Sequence, residues 1–268
     1  LYDYPVGVPS SGHLIENNKI SHLGTYDALS GIDKWGLGVL LYNNQYAHVK
    51  NNCIEDVRVG IQTGNFWQAN PGGSNFQLIE NNTIQARRRG IFHNLFYSSA
   101  SPFTVRDNAI TGLNNSNETL WDGILVSSQA NAVQILKDNN IDGTGISTQA
   151  TIGINVWNDQ VAPEIDGGNI SNVKLGINVN NFEGYNSNAG NTVAVIKNVT
   201  VTTTTIAGIK VHDNPSNTNG ATVNANIGTG NTISNSPIGI WIVGSDATAT
   251  ITHNNFTSNT TDIQSDVT

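Results

Sequence analysis

The sequence predicts an all-β chain wound as a solenoid, with parallel sheets stacked in about nine coils. Three observations predict it. Two short signatures alternate along the chain in a fixed order. Apolar residues around them recur with period two, as in a strand. No stretch carries the 3.6-residue stripe of an amphipathic helix.

The first signature is Asn, any residue, then an apolar residue. It runs Asn18-Lys19-Ile20, Asn52-Cys53-Ile54, Asn82-Thr83-Ile84, Asn108-Ala109-Ile110 and Asn139-Asn140-Ile141, and resumes at Asn231-Thr232-Ile233 and Asn254-Asn255-Phe256. Gly168-Asn169-Ile170 and Val199-Thr200-Val201 stand in its place between. The second signature is Gly before a β-branched residue: Gly38-Val39, Gly60-Ile61, Gly90-Ile91, Gly123-Ile124, Gly153-Ile154, Gly176-Ile177, Gly208-Ile209 and Gly239-Ile240, closed by Asp262-Ile263. The gap between them is eight residues in five coils, and 20, 15 and 14 in the first, fourth and fifth. The shortest unit is about 22 residues, too small to bury its own apolar face, so each strand pairs with its copies above and below.

Each recurrent residue has a physical reason. An Asn at a tight turn bonds to turn backbone and to the same Asn one coil away, forming a ladder. The Gly is expected to permit a bend that a side chain blocks. Coils at ~4.8 Å each build a rod roughly 43 Å long, read as one domain over residues 1–268.

The alternation of Asn-x-Ile and Gly-Ile resembles the right-handed parallel β-helix repeats of pectate-lyase-like proteins over about residues 14–264. The resemblance implies the fold. It selects no activity, since that coil serves lyases, hydrolases, epimerases, spikes and adhesins alike. Residues 1–12 do not read as a capping helix, and the chain stops just after the last signature. Flanking domains or end-to-end contact with another molecule are therefore expected to cover the ends.

Composition narrows the function classes. Charged residues are 12% and Asn takes their place with 40 copies, as in a secreted or cell-surface protein. The net charge of −8 disfavours nucleic acid as partner. No apolar run is long enough for a membrane span. One cysteine, Cys53, excludes a disulfide framework, and the six histidines lack metal-ligand spacing. No phosphate-cradling, dinucleotide or nucleophile-elbow motif occurs, so no cofactor and no metal are expected.

Charge is unevenly placed. Residues 1–110 carry eight Lys/Arg and eight Asp/Glu, against four and twelve in residues 111–268. All five arginines lie between Arg58 and Arg106. Counting back from the glycines stacks Arg58 on Arg88, and aligns Arg87 and Arg89 with Val57 and Val59, which would turn one of the two partly inward. The insertions at 24–37 and 112–122 flank these short coils and make a saddle. Its floor holds Asp56, Arg58, Arg87, Arg88 and Arg89, and its walls offer Tyr26, Asp33, Lys34, Trp35, Glu118, Trp121 and Asp122.

Arginines beside aromatic walls suit a polysaccharide, an acidic one above all, because guanidinium groups pair carboxylates or sulfates and rings stack on sugars. Substrate contacts are thus assigned to Trp35, Asp56, Arg58, Arg88, Trp121 and Asp122. For lyase or epimerase chemistry, Arg58 and Arg88 would neutralise the uronate, and His93 or Tyr42 would act as base. His93 also aligns with inward valines, where a histidine is an ordinary core residue. Trp157, Lys210, His212 and Trp241 fall on the outward face of the Gly-Ile strands and read as scattered surface. The competing function is a structural spike, stalk or adhesin segment without chemistry.

Overall fold

Val, Ile and Leu alternating with Asn, Thr and Ser favour strands with one buried face. The computed structural model shows such strands stacked in parallel. It describes residues 12–23, 26–27, 32–33, 36–42, 47–65, 77–95, 103–114, 118–128, 134–146, 150–157, 162–181, 191–214 and 220–267.

One sheet has nine strands in chain order: His13–Glu16, Ala47–Lys50, Gln77–Glu80, Phe103–Arg106, Gln134–Lys137, Glu164–Asp166, Thr192–Lys197, Val223–Ile227 and Ala247–Ile251. The second sheet holds both signatures. Where the gap between them is short, one long strand carries the pair, as in Cys53–Asn65, Thr83–Leu95, Asn169–Asn180 and Thr200–His212. Where residues are inserted it splits, as in Ala109–Gly112 and Leu120–Ser128. Every pairing in both sheets is parallel; the antiparallel pair is Tyr26–Asp27 with Ile32–Asp33, within the first insertion.

The core lies between the sheets as stacked columns. Ile54, Ile84, Ile110, Ile141, Ile170, Val201 and Ile233 form one, and Val49, Ile79, Val105, Leu136, Ile165, Ile196 and Ile227 face it from the other sheet, all of them buried. At about 1.5–3 kcal/mol for each fully buried aliphatic side chain, these columns are the main stabilising contribution.

The asparagine ladder forms as predicted. The backbone N and Nδ2 of Asn18, Asn52 and Asn82 each donate to the amide oxygen of the next ladder residue at 3.0 Å. Asn108 repeats this toward Asn139. The residue just before each ladder position is left-handed: Asn17, Asn51, Asn81, Asp107, Asp138, Gly167, Asn198, Gly230 and His253 have φ between 51° and 84°. Asn, Asp and Gly tolerate that region best, so the corner selects a pair of residues at each recurrence.

The glycine stack has a different cause from the one expected. Its members do not adopt positive φ; they are crowded. A Cβ at Gly60 would sit 2.4 Å from Ile84 Cγ2 and 2.5 Å from the Gly90 carbonyl oxygen. Glycine therefore lets the first-signature isoleucine of the next strand fill the space beneath it.

No helix among the described residues is long and apolar enough to cross a membrane.

Candidate functional site

The arginines gather where the two signatures meet. In Cys53–Asn65 the chain turns at Asp56, whose φ is 51°. Thr83–Leu95 makes the same corner with an irregular register: Val57 pairs with Ala86 and Val59 with Arg89. The register slips by one residue at Val57 and is restored at Val59, so Ala86 rather than Arg87 takes the inward place beside Val57. This corrects the count from the glycines at Arg87, while Arg89 stands beside Val59 as counted; a count cannot detect a local irregularity.

Every arginine of the corner meets a carboxylate. Arg87 NH1 lies 2.5 Å from Asp56 Oδ1, and Arg89 Nε 3.2 Å from Asp122 Oδ2. Glu118, from the second insertion, reaches back to two arginines: Arg58 Nε at 2.5 Å and Arg88 Nε at 3.6 Å. The wall of the saddle is therefore folded onto its floor. Nearby, Lys19 pairs with Glu55 at 2.7 Å, and His22 Nε2 lies 3.9 Å from the other oxygen of Asp56.

The bookkeeping of charge singles out Arg88. Among the described residues, four guanidinium groups face three carboxylates, and Arg88 shares its own with Arg58. Arg58, Arg87 and Arg89 side chains are 12–13% exposed, Arg88 31%. Its Nε is buried without a hydrogen-bond partner. Burial, then repulsion by Arg89 and Arg58, pulls its pKa below the usual arginine value. An incoming anion relieves that repulsion.

Several expected contacts are elsewhere. Trp121 is fully buried, packs by Gly112 and Ile146, and donates Nε1–H to the Ala86 carbonyl at 3.0 Å. It fills the solenoid corner left by the insertion and offers no face to a sugar. Asp122 is also fully buried. Burial pushes its carboxyl up against the pull of Arg89, and Asn155 Nδ2 donates to its other oxygen at 3.1 Å.

His93 lies in the core with 1% exposure, its ring stacked on Phe103 at 3.6 Å. Thr63 Oγ1 meets its Nδ1 at 2.5 Å. Burial lowers its pKa to about 3. It does not face the corner where a base is needed, so this assignment is withdrawn. Arg58 and Arg88 meet at Glu118, while Asp56 pairs with Arg87. Lys34, Trp35 and the side chains of Tyr26, Asp33 and Tyr42 lie outside the described residues.

The outward face of the Gly-Ile strands holds what sequence reasoning missed. Val59, Phe92 and Leu125 form a second buried cluster there, with Leu37 and Trp157 against it. Arg89 lies over the Phe92 ring, 4.5 Å from its centroid. From Asp122 a polar chain continues through Asn155 to Asn178 and Asn180, whose amides donate to Asn155 Oδ1 at 3.2 and 2.9 Å. Beyond them Lys210 lies beside Asn178 and Trp241, and His212 beside Asn180. These residues are 23–33 positions apart in sequence, so only the register brings them together. Among the described residues, no three His, Cys, Asp or Glu side chains are grouped as a metal site would require.

Fold and corner together define a parallel β-solenoid with an arginine–carboxylate cluster at the edge of one sheet. The sequence matches no family profile, and no curated protein matches it. Among solved structures, the chain is similar to the catalytic unit of a thermostable GH87 alpha-1,3-glucanase from Streptomyces thermodiastaticus strain HF3-3, at 15% identity and a TM-score of 0.48. The match covers 85% of this chain and 48% of that one.

Proposed function

We propose that this chain is a polysaccharide-binding β-solenoid of an extracellular protein, and that its ligand is an acidic glycan held at the arginine corner. The observation that carries the reading is the charge imbalance among the described residues of the corner: four arginines, three carboxylates, and the surplus on the most exposed of the four, Arg88. The molecule as a whole is −8, so the local potential opposes the global one. A uronate or sulfate would approach the exposed side of Arg88, while Glu118, shared with Arg58, holds the guanidinium from the other side. The proposal is of binding, because the imidazole considered as a base lies inside the core.

The test is titration with polygalacturonate and with a neutral glucan at low and high salt. Arg88→Gln is the variant of choice. Arg58→Ala would leave Glu118, 8% exposed, short of a partner and so confuse stability with binding. Hydrogen bonds to charged groups contribute about 1.5–3 kcal/mol, and partial exposure places Arg88 at the low end. Arg88→Gln should then weaken binding about tenfold. Added salt should weaken the wild type and leave the variant less affected. Failure of polygalacturonate and of sulfated glycans to bind, or equal binding by Arg88→Gln, would overturn the reading. A structural segment without ligand would then be left. That alternative draws support from the carboxylates already paired with Arg58, Arg87 and Arg89.

A further inference from the structure

We propose a second binding subsite, for a sugar acid, formed by Lys210 and His212 on the outward face of the Gly-Ile strands. It goes beyond the arginine corner and shares with it only the ligand chemistry. The register places the site four strand steps from Arg89, roughly 19 Å away at ~4.8 Å a step.

The site is held in place from one side. Lys210 Nζ sits 4.6 Å from the centroid of the Trp241 ring. That indole is itself anchored: its Nε1–H donates to Asp266 Oδ2 at 2.7 Å, and Gln264 Nε2 braces the same oxygen at 2.8 Å. An ammonium over a fixed indole is attracted to its face and stays near it. Its charge nevertheless lacks a carboxylate: among the described residues Lys210 makes no ion pair. The nearby Asp213 is buried and accepts instead from Asn181 Nδ2 at 2.7 Å. A half-buried cation without a counter-charge gains most from an anion that arrives already desolvated on one side.

The neighbours specify more than charge. His212 stands two residues along on the same face and is half-buried, and burial together with Lys210 holds its pKa below the usual histidine value. It is a neutral imidazole at neutral pH, with one donor and one acceptor. On the preceding strand Asn178 and Asn180 have their amide nitrogens committed to Asn155, so each offers a carbonyl oxygen. One ammonium, one imidazole and amide acceptors match a carboxylate with adjacent hydroxyls. A bare tetrahedral anion would leave the acceptors facing negative charge.

The test is calorimetric and NMR titration of the whole chain with digalacturonate, inorganic phosphate and a neutral disaccharide. The indole N–H of Trp241, assigned with Trp241→Phe, is the local reporter. The expected result is two digalacturonate sites, with the Trp241 signal moving at one. Lys210→Gln should weaken that site at least tenfold and leave the thermal midpoint unchanged, since no ion pair is broken. Lys210→Arg should keep it within a few-fold, and Arg88→Gln should not affect the Trp241 response. A single site, lost in Arg88→Gln and indifferent to Lys210→Gln, overturns the second subsite and leaves the arginine corner standing. A single site lost only in Lys210→Gln does the reverse. Phosphate or the neutral sugar binding there as tightly as digalacturonate overturns the assignment of a sugar acid. No digalacturonate binding at all removes both.

Discussion

His93 places a titratable group where water cannot reach it, and acid should reveal this. The ring is stacked on Phe103 with planes 8° apart, and its Nε2 has no partner. Burial drops the pKa from the usual 6.5 of a histidine to about 3. In the unfolded chain the imidazole takes a proton below about pH 6.5; in the folded chain it stays neutral. The unfolded state therefore binds more protons between these values, and stability falls as pH falls. Above pH 6.5 the residue contributes no pH dependence, and near pH 3 the loss levels off. Each pH unit in the window removes about 1.4 kcal/mol, for a total of roughly 4–5 kcal/mol. The assay is denaturant unfolding at pH 7, 5 and 4, comparing wild type with Thr63→Val/His93→Leu. The double change removes the hydrogen-bond pair together, so no hydroxyl is stranded. Carboxylates common to both proteins cancel in the comparison. The variant should lose less stability than wild type by about 2 kcal/mol on going from pH 7 to pH 5. Equal slopes would refute the reasoning and show that His93 protonates in place.

Three more outcomes are expected. Asn82→Ala should destabilise by about 3 kcal/mol in chemical denaturation, because the Val49 and Glu80 carbonyls and the Asn52 amide all lose a buried partner; a neutral result would remove the ladder's energetic role. Gly90→Ala should prevent soluble folding, since its Cβ would lie 2.3 Å from Ile110 Cγ2 and 2.5 Å from the Gly123 oxygen, whereas Gly228→Ala, with 3.7 Å to its nearest neighbour, should express normally. Glu118→Gln should bind polygalacturonate more tightly than wild type while melting at a lower temperature, as Arg58 and Arg88 lose their shared countercharge; weaker binding would argue that Glu118 itself contacts the ligand.

The solenoid was legible because its repeat is written in backbone-level constraints. An Asn whose amide must reach turn carbonyls, and a Gly with no room for a Cβ, recur whatever the loops do. The corner was half legible. Arg58, Arg88 and Asp56 lie within runs of constant spacing, so counting placed them together. Arg89 fell beside Val59 as counted, but Arg87 did not fall beside Val57, because the register slips by one residue there and recovers at Val59, which no composition marks. Trp121 was misread for a related reason: an insertion can enter the core as readily as rise from the surface, and an indole large enough to fill a corner was taken for a rim. The Lys210–Trp241 contact was hidden by sequence distance. Each residue looks isolated in the chain, and only the stacked register makes them adjacent.

The ladder also has a direction and a break. Each Asn donates forward and accepts from behind, through Asn18, Asn52, Asn82, Asn108 and Asn139. At Gly168 there is no amide to receive the next bond, and the run resumes as Val199 N to Asn231 and Asn231 to Asn254. Two polarised chains of unequal length therefore share one rod. In a stack whose stability is a sum of nearest-neighbour terms, such a gap is where cooperativity is weakest. Native-state hydrogen exchange should accordingly resolve two blocks, the longer one opening only at higher free energy and the segment around Gly167 and Gly168 exchanging as the seam between them.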